Sequence, residues 1–115
     1  MKLAQAGSPH QTAGQAFGTL TAAQRRYLLG WHEAARASGI DSIEDFTHRP
    51  WPGCTADTII GIFEPDHLLA TWLIVGHGGN WAVAYCRDSA VSAPVPTLAD
   101  AHQIVCPVAP VLIPS

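Results

Sequence analysis

Between Thr58 and Cys86 the chain reads TIIGIFEPDHLLATWLIVGHGGNWAVAYC, three apolar runs parted by two sets of turn residues, and no other stretch limits the fold as strongly. Thr58 to Phe63 is rich in β-branched and aromatic side chains. It stops at Glu64-Pro65-Asp66-His67, where proline restricts φ and aspartate favours a turn, so a hairpin is predicted. Leu68 to Val75 is largely apolar on both alternating sets, with Leu68, Ala70, Trp72 and Ile74 on one and Leu69, Thr71, Leu73 and Val75 on the other. A strand with one wet face would alternate with polar residues. This run is therefore placed in the middle of a sheet, one face on a helix layer and the other covered by a further layer or a second subunit. Gly76 to Asn80 supplies residues that tolerate positive φ, and Trp81 to Cys86 alternates large and small, which puts Trp81, Val83 and Tyr85 on one face. Periodicity alone would also allow a buried helix over so short a run; the turn residues at both ends favour strands.

A chain of 115 residues suits one domain with a single core. Its composition is 48% hydrophobic and 13% charged, apolar enough that part of the surface is expected at an interface. No apolar run reaches the ~20 residues that cross a bilayer, and the N-terminus lacks the apolar core of a signal peptide. The expectation is a cytoplasmic protein with no membrane partner. Three cysteines without close pairing fit reduced thiols better than a disulfide framework. Net charge is −3, and Lys2 is the only lysine beside five arginines. That composition argues against Schiff-base chemistry, a phosphate-loop lysine and the basic footprint of nucleic-acid binding.

Taken in order, residues 1–18 are small and polar with scattered glycine, and are predicted to be a flexible tail ahead of a single α+β domain over residues 19–115. Thr21-Ala22-Ala23-Gln24 is a capping-box pattern that starts a helix running to about Ala37. Leu20, Ala23, Tyr27, Trp31 and Ala34 form its inward stripe, flanked by Leu28 and Ala35, while Arg25, Arg26, His32, Glu33 and Arg36 lie opposite. Gly30 in mid-helix costs roughly 1 kcal/mol relative to alanine and signals the close approach of another backbone or a bulky ring. Asp41-Ser42-Ile43-Glu44 offers a second capping box, for a short helix to about Phe46. The prolines flanking Trp51 dictate an irregular loop that presents this ring, and Thr97 to Asp100 opens a short C-terminal helix reaching about Val105. The fold class expected is thus α+β: an N-terminal helix on an antiparallel sheet of three or more strands, a meander over about 58–86, and short second and C-terminal helices.

Few constellations carry chemistry. Cys54, His77 and Asp88 follow the chain order of nucleophile, base and orienting acid in papain-like folds, but Cys54 leads into a strand rather than opening a helix. His102 and Cys106 are spaced i,i+4 and are the candidates for a metal, without a CxxC, HxH or HExxH motif to support them. Gly76 to Gly79 precedes a strand, whereas a phosphate cradle needs a helix there. An aromatic pocket from Trp72, Trp81 and Tyr85 is the third candidate site. The order helix, three antiparallel strands, helix is similar to that of double-stranded-RNA-binding domains, and helices leading into a meander are similar to the acetyltransferase superfamily. The lysine-rich helix start of the first and the pyrophosphate loop of the second are missing, so no family is assigned.

These residues lead to the expectation of a small, non-enzymatic protein-interaction module of accessory, inhibitor or immunity type. It would dock on a protein partner or form a homodimer, with no cofactor. The interface candidates are Trp51, Leu69, Leu73, Val108, Val111, Leu112 and Ile113. The alternatives are a Cys54/His77/Asp88 hydrolase and a small-molecule-binding module.

Overall fold

The computed structural model of the protein describes residues 17–49 and 55–111. Helix α1 spans Ala22–Ala35 and ends in a 3-10 turn, Arg36–Ser38. The strands β1 (Ser42–Asp45), β2 (Thr58–Phe63), β3 (Trp72–His77), β4 (Asn80–Tyr85) and β5 (Ala90–Val91) follow, and then helix α2 (Leu98–Val105). The sheet is one antiparallel meander in the order β1-β2-β3-β4-β5, and the class is α+β.

Residues directly opposite one another in an antiparallel pair share a face, so the register sorts every side chain. Ile60 lies across from Ile74, which lies across from Val83, and Ile62, Trp72 and Tyr85 make the next row. This face carries the main core, in which Leu28, Trp31 and Ala35 of α1 and Leu98 and Ala101 of α2 join Ile60, Ile62, Ile74 and Val83. The opposite face carries a smaller cluster of Phe46, Ile59 and Phe63, with Leu73, Val75, Ala56 and Ala70 packed beside it. No helix residue belongs to that second cluster. β2 is buried along its whole length, on both faces.

The expected capping box of α1 is present: the Thr21 hydroxyl accepts from the Gln24 amide, and the Gln24 side chain accepts from the Thr21 amide. Gly30 does admit another backbone, since its position would set a Cβ against the carbonyl of Val111, whose own N–H donates to the Gly30 oxygen at 3.0 Å. The chain beyond α2 is thereby laid along α1, and the Trp31 indole ties it down by donating to the Cys106 carbonyl at 3.0 Å.

Two local expectations differ from the structure. Ser42–Asp45 is an edge strand, and the short helix of this region is the 3-10 turn before it. A helix of one or two turns is marginal on its own, whereas pairing with β2 lets Asp41 donate to Phe63 and Phe46 donate to Ile59. The strand expected from Leu68 starts instead at Trp72. Asp66 turns the chain at φ 65°, and Thr71 is the first residue to reach β2, donating to Ile62 at 2.8 Å. Of the expected tail, residues 1–16 lie outside the described residues, while Phe17 packs against the core and its N–H donates to the Asp45 carboxylate at 2.7 Å. Burial raises the pKa of that carboxyl, but hydrogen bonds from Thr47 and Phe17, with His48 nearby, outweigh it and hold the group below its usual value.

Candidate interaction surface

A meander brings alternate connections to the same end of its sheet. The β2–β3 connection and the β4–β5 turn therefore lie side by side, at the end where Phe63, Trp72 and Tyr85 sit. Their backbones are stitched together, because Thr71 accepts from the Cys86 N–H at 2.8 Å while donating to Ile62. Leu68 and Leu69 precede this stitch and have no strand to pair with. They stand out from the protein, 97% and 82% exposed.

Two hollows flank these leucines. One, of about 490 Å³, is lined by Ala70, Thr71 and Cys86 together with Asp66, His67 and Arg87. The second, of about 360 Å³, runs over the smaller cluster on the sheet face opposite the helices, against Phe46, Phe63 and Leu73. Leu68, Leu69, Ala70 and Cys86 border both. Phe46 lies across Gly61, where a Cβ would collide with its ring, and meets Phe63 edge-on with centroids 5.9 Å apart. Arg49 covers Phe46, its guanidinium 3.9 Å from the ring centroid and 3.6 Å from Glu44. The charges nearer the leucines differ: neither Asp66 nor Arg87 has an ion-pair partner among the described residues. Partial burial pushes the Cys86 thiol up, away from the thiolate a nucleophile needs.

Of the interface candidates, Leu69 is on this surface and Leu73 on its floor. Val108 is part-buried against the main core, and Val111 is bound to α1 on the other side of the sheet. Trp51, Leu112 and Ile113 lie outside the described residues, as does Cys54. His77 and Asp88 sit beyond opposite ends of β4, a strand of six residues at ~3.3 Å each, and so do not meet. His77 lines a small polar hollow of about 150 Å³ together with Asp57, Thr19, Thr58 and Asn80. Its polar groups are bonded to one another, Asp57 accepting from the Gly78 N–H at 2.9 Å and the Thr19 and Thr58 hydroxyls 2.6 Å apart. These bonds tie the β3–β4 hairpin to the residue before β2 and the chain before α1 to the start of β2.

Trp72 and Tyr85 do pair, with ring centroids 4.5 Å apart, but Trp81 lies at the far end of β4, packed on Gly76. Ile74 and Val83 fill the interval, so the three aromatics form no single pocket. His102 is fully buried against Trp31 and Tyr27, with centroids 4.5 and 5.1 Å away. The Cys106 N–H caps α2 by donating to the His102 carbonyl at 2.9 Å. Among the described residues no group of three or more metal-ligating side chains converges, and no helix is long and apolar enough to cross a membrane.

Leu68 and Arg87 were not among the sequence candidates. The signal available was Asp66-His67 followed at once by two leucines, a turn whose next residues are apolar before any strand partner is in reach. No family model, curated protein or solved structure matches the chain.

Proposed function

We propose that the protein is a protein-binding module, and that Leu68, Leu69 and the hollows beside them form its binding surface. The observation that carries this reading is the pair of leucines, 97% and 82% exposed, beside an apolar face that no helix residue joins. Burying such a side chain is worth ~1.5–3 kcal/mol, so two of them held in water by well-bonded backbone form a store of association energy. Apolar and charged side chains together border these hollows, the mixture found in recognition patches. The alternative hydrolase reading needs Cys54, His77 and Asp88 together; His77 and Asp88 lie at opposite ends of β4, and Cys54 lies outside the described residues.

The test is retention of proteins on the immobilised chain, compared with a variant carrying Leu68→Asp and Leu69→Asp. Both substitutions fall on exposed positions, so the fold is retained and the far-UV circular dichroism is unchanged. Proteins held by the parent are expected to be lost by the variant. Equal retention by the two would overturn the reading.

A further inference from the structure

We infer that the hollow bordered by the first turns of α1 and α2 is a site for a small aromatic carboxylate, separate from the binding surface just described. It measures about 380 Å³, within the ~300–1,000 Å³ of small-molecule pockets. Tyr27, Trp81, Pro96 and Leu98 make its lining largely apolar, and Gly79 at its border has open space where a Cβ would stand. Moving a flat ring from water onto such a lining is favourable. No acid, lysine, arginine or histidine lines it.

The polar groups specify the rest of the ligand. Trp81 is 8% exposed, and among the described residues its indole N–H meets no acceptor, although the nitrogen is not sealed from solvent. The part of its six-membered ring farthest from the nitrogen rests on Gly76. The ring borders this hollow and the small polar one beside it, so the free donor opens on that space. A donor so nearly buried is normally paired, and an acceptor on a ligand would pair it. Gln24 also borders both hollows. Its Oε1 is committed to the Thr21 amide, while its Nε2 has no acceptor among the described residues. Ala23 and Ala99 are the second residues of α1 and α2, so their N–H groups have no carbonyl within their own helix, and both border the hollow. The positive ends of two helices thus meet at one space. Uncharged donors suit a single delocalised negative charge, whereas a phosphate would call for a lysine or arginine that the lining does not contain. The adjoining hollow holds one acid, Asp57, whose carboxylate already accepts from the Gly78 N–H.

The experiment is a titration of the isotope-labelled full chain with naphthoate, followed by the indole N–H resonances, with that of Trp81 identified by its loss in Trp81→Phe. The Trp81 resonance is expected to shift and saturate with a Kd below about 1 mM, while that of Trp31, already bonded to the Cys106 carbonyl, moves little. Naphthamide, with the same rings and no charge, is expected to bind at least about fivefold more weakly. Gln24→Glu keeps the acceptor of the capping box, and so the fold, but replaces two donors with a negative charge. It is expected to weaken naphthoate at least about tenfold with unchanged circular dichroism. Leu69→Asp is expected to bind as the parent does, since Leu69 borders neither hollow. No saturable shift of the Trp81 indole by about 5 mM overturns the inference. So does naphthamide binding as tightly as naphthoate, a Gln24→Glu chain binding as the parent does, or a loss of binding in Leu69→Asp.

Discussion

The His102 imidazole is fully buried against Tyr27 and Trp31, and among the described residues neither ring nitrogen meets a partner at full hydrogen-bond geometry. Burial holds its pKa down, from 6.5 to about 3, opposed only by the Leu98 carbonyl one helical turn earlier. The group is therefore neutral when folded at any pH above that value. The unfolded chain takes up the proton as the pH drops below 6.5, so the folded state loses stability progressively from there down to about pH 3. At ~1.4 kcal/mol per unit, the window carries roughly 3–5 kcal/mol. His102→Leu is expected to abolish most of the slope of unfolding free energy against pH between 6 and 4.5, measured by urea titration; an unchanged slope would show that the ring is not held neutral. The sequence marked His102 as a candidate ligand because spacing reports which residues share a helical face. It does not report what the face packs against, and here two aromatic rings occupy that place.

Among the elements, α1 was the most legible, since capping and the 3.6-residue stripe are local properties written in Thr21, Gln24, Leu28, Trp31 and Ala35. Gly30 could be read too, because a glycine in mid-helix has few purposes other than to admit a close neighbour. Alanine at that position is expected to be destabilising by about 1–3 kcal/mol despite its better helix propensity, since its Cβ would push out the Val111 carbonyl and break the bond from Val111 to the Gly30 oxygen. Thermal melts would measure the net effect, and hydrogen exchange should show faster exchange confined to the amides of Val108 and Val111. A stabilised variant would mean that the segment after α2 yields without cost. β1 was misread because the capping-box letters of Asp41 to Glu44 carry no information on a strand 15 residues further on. Once β2 is in place, its free edge offers those amides more than an isolated turn of helix can.

At the scale of the whole molecule, both helices pack on one face of the sheet, the other carries the smaller cluster of Phe46, Ile59 and Phe63, and Leu68 and Leu69 stand exposed at the end of the sheet. If a second copy covers those leucines, folding and association are linked, and stability depends on protein concentration. The midpoint of thermal unfolding is expected to rise by a few degrees between 2 and 200 µM in the parent and to stay constant in Leu69→Asp, by differential scanning calorimetry. A parent midpoint independent of concentration would argue that the surface is empty when the protein unfolds.

The sequence by itself determined the α+β class, the meander, the start of α1 and the close approach at Gly30. Each rests on neighbours along the chain: alternation, turn residues, caps and a missing Cβ. Only the tertiary structure decided which residues share a surface. It set Trp81 apart from Trp72 and Tyr85, and His77 apart from Asp88, because a six-residue strand lies between them. It also left Leu68 and Leu69 outside the sheet, because the partner strands end at Phe63 and Tyr85, and an apolar run extends as a strand only as far as there is backbone to pair with.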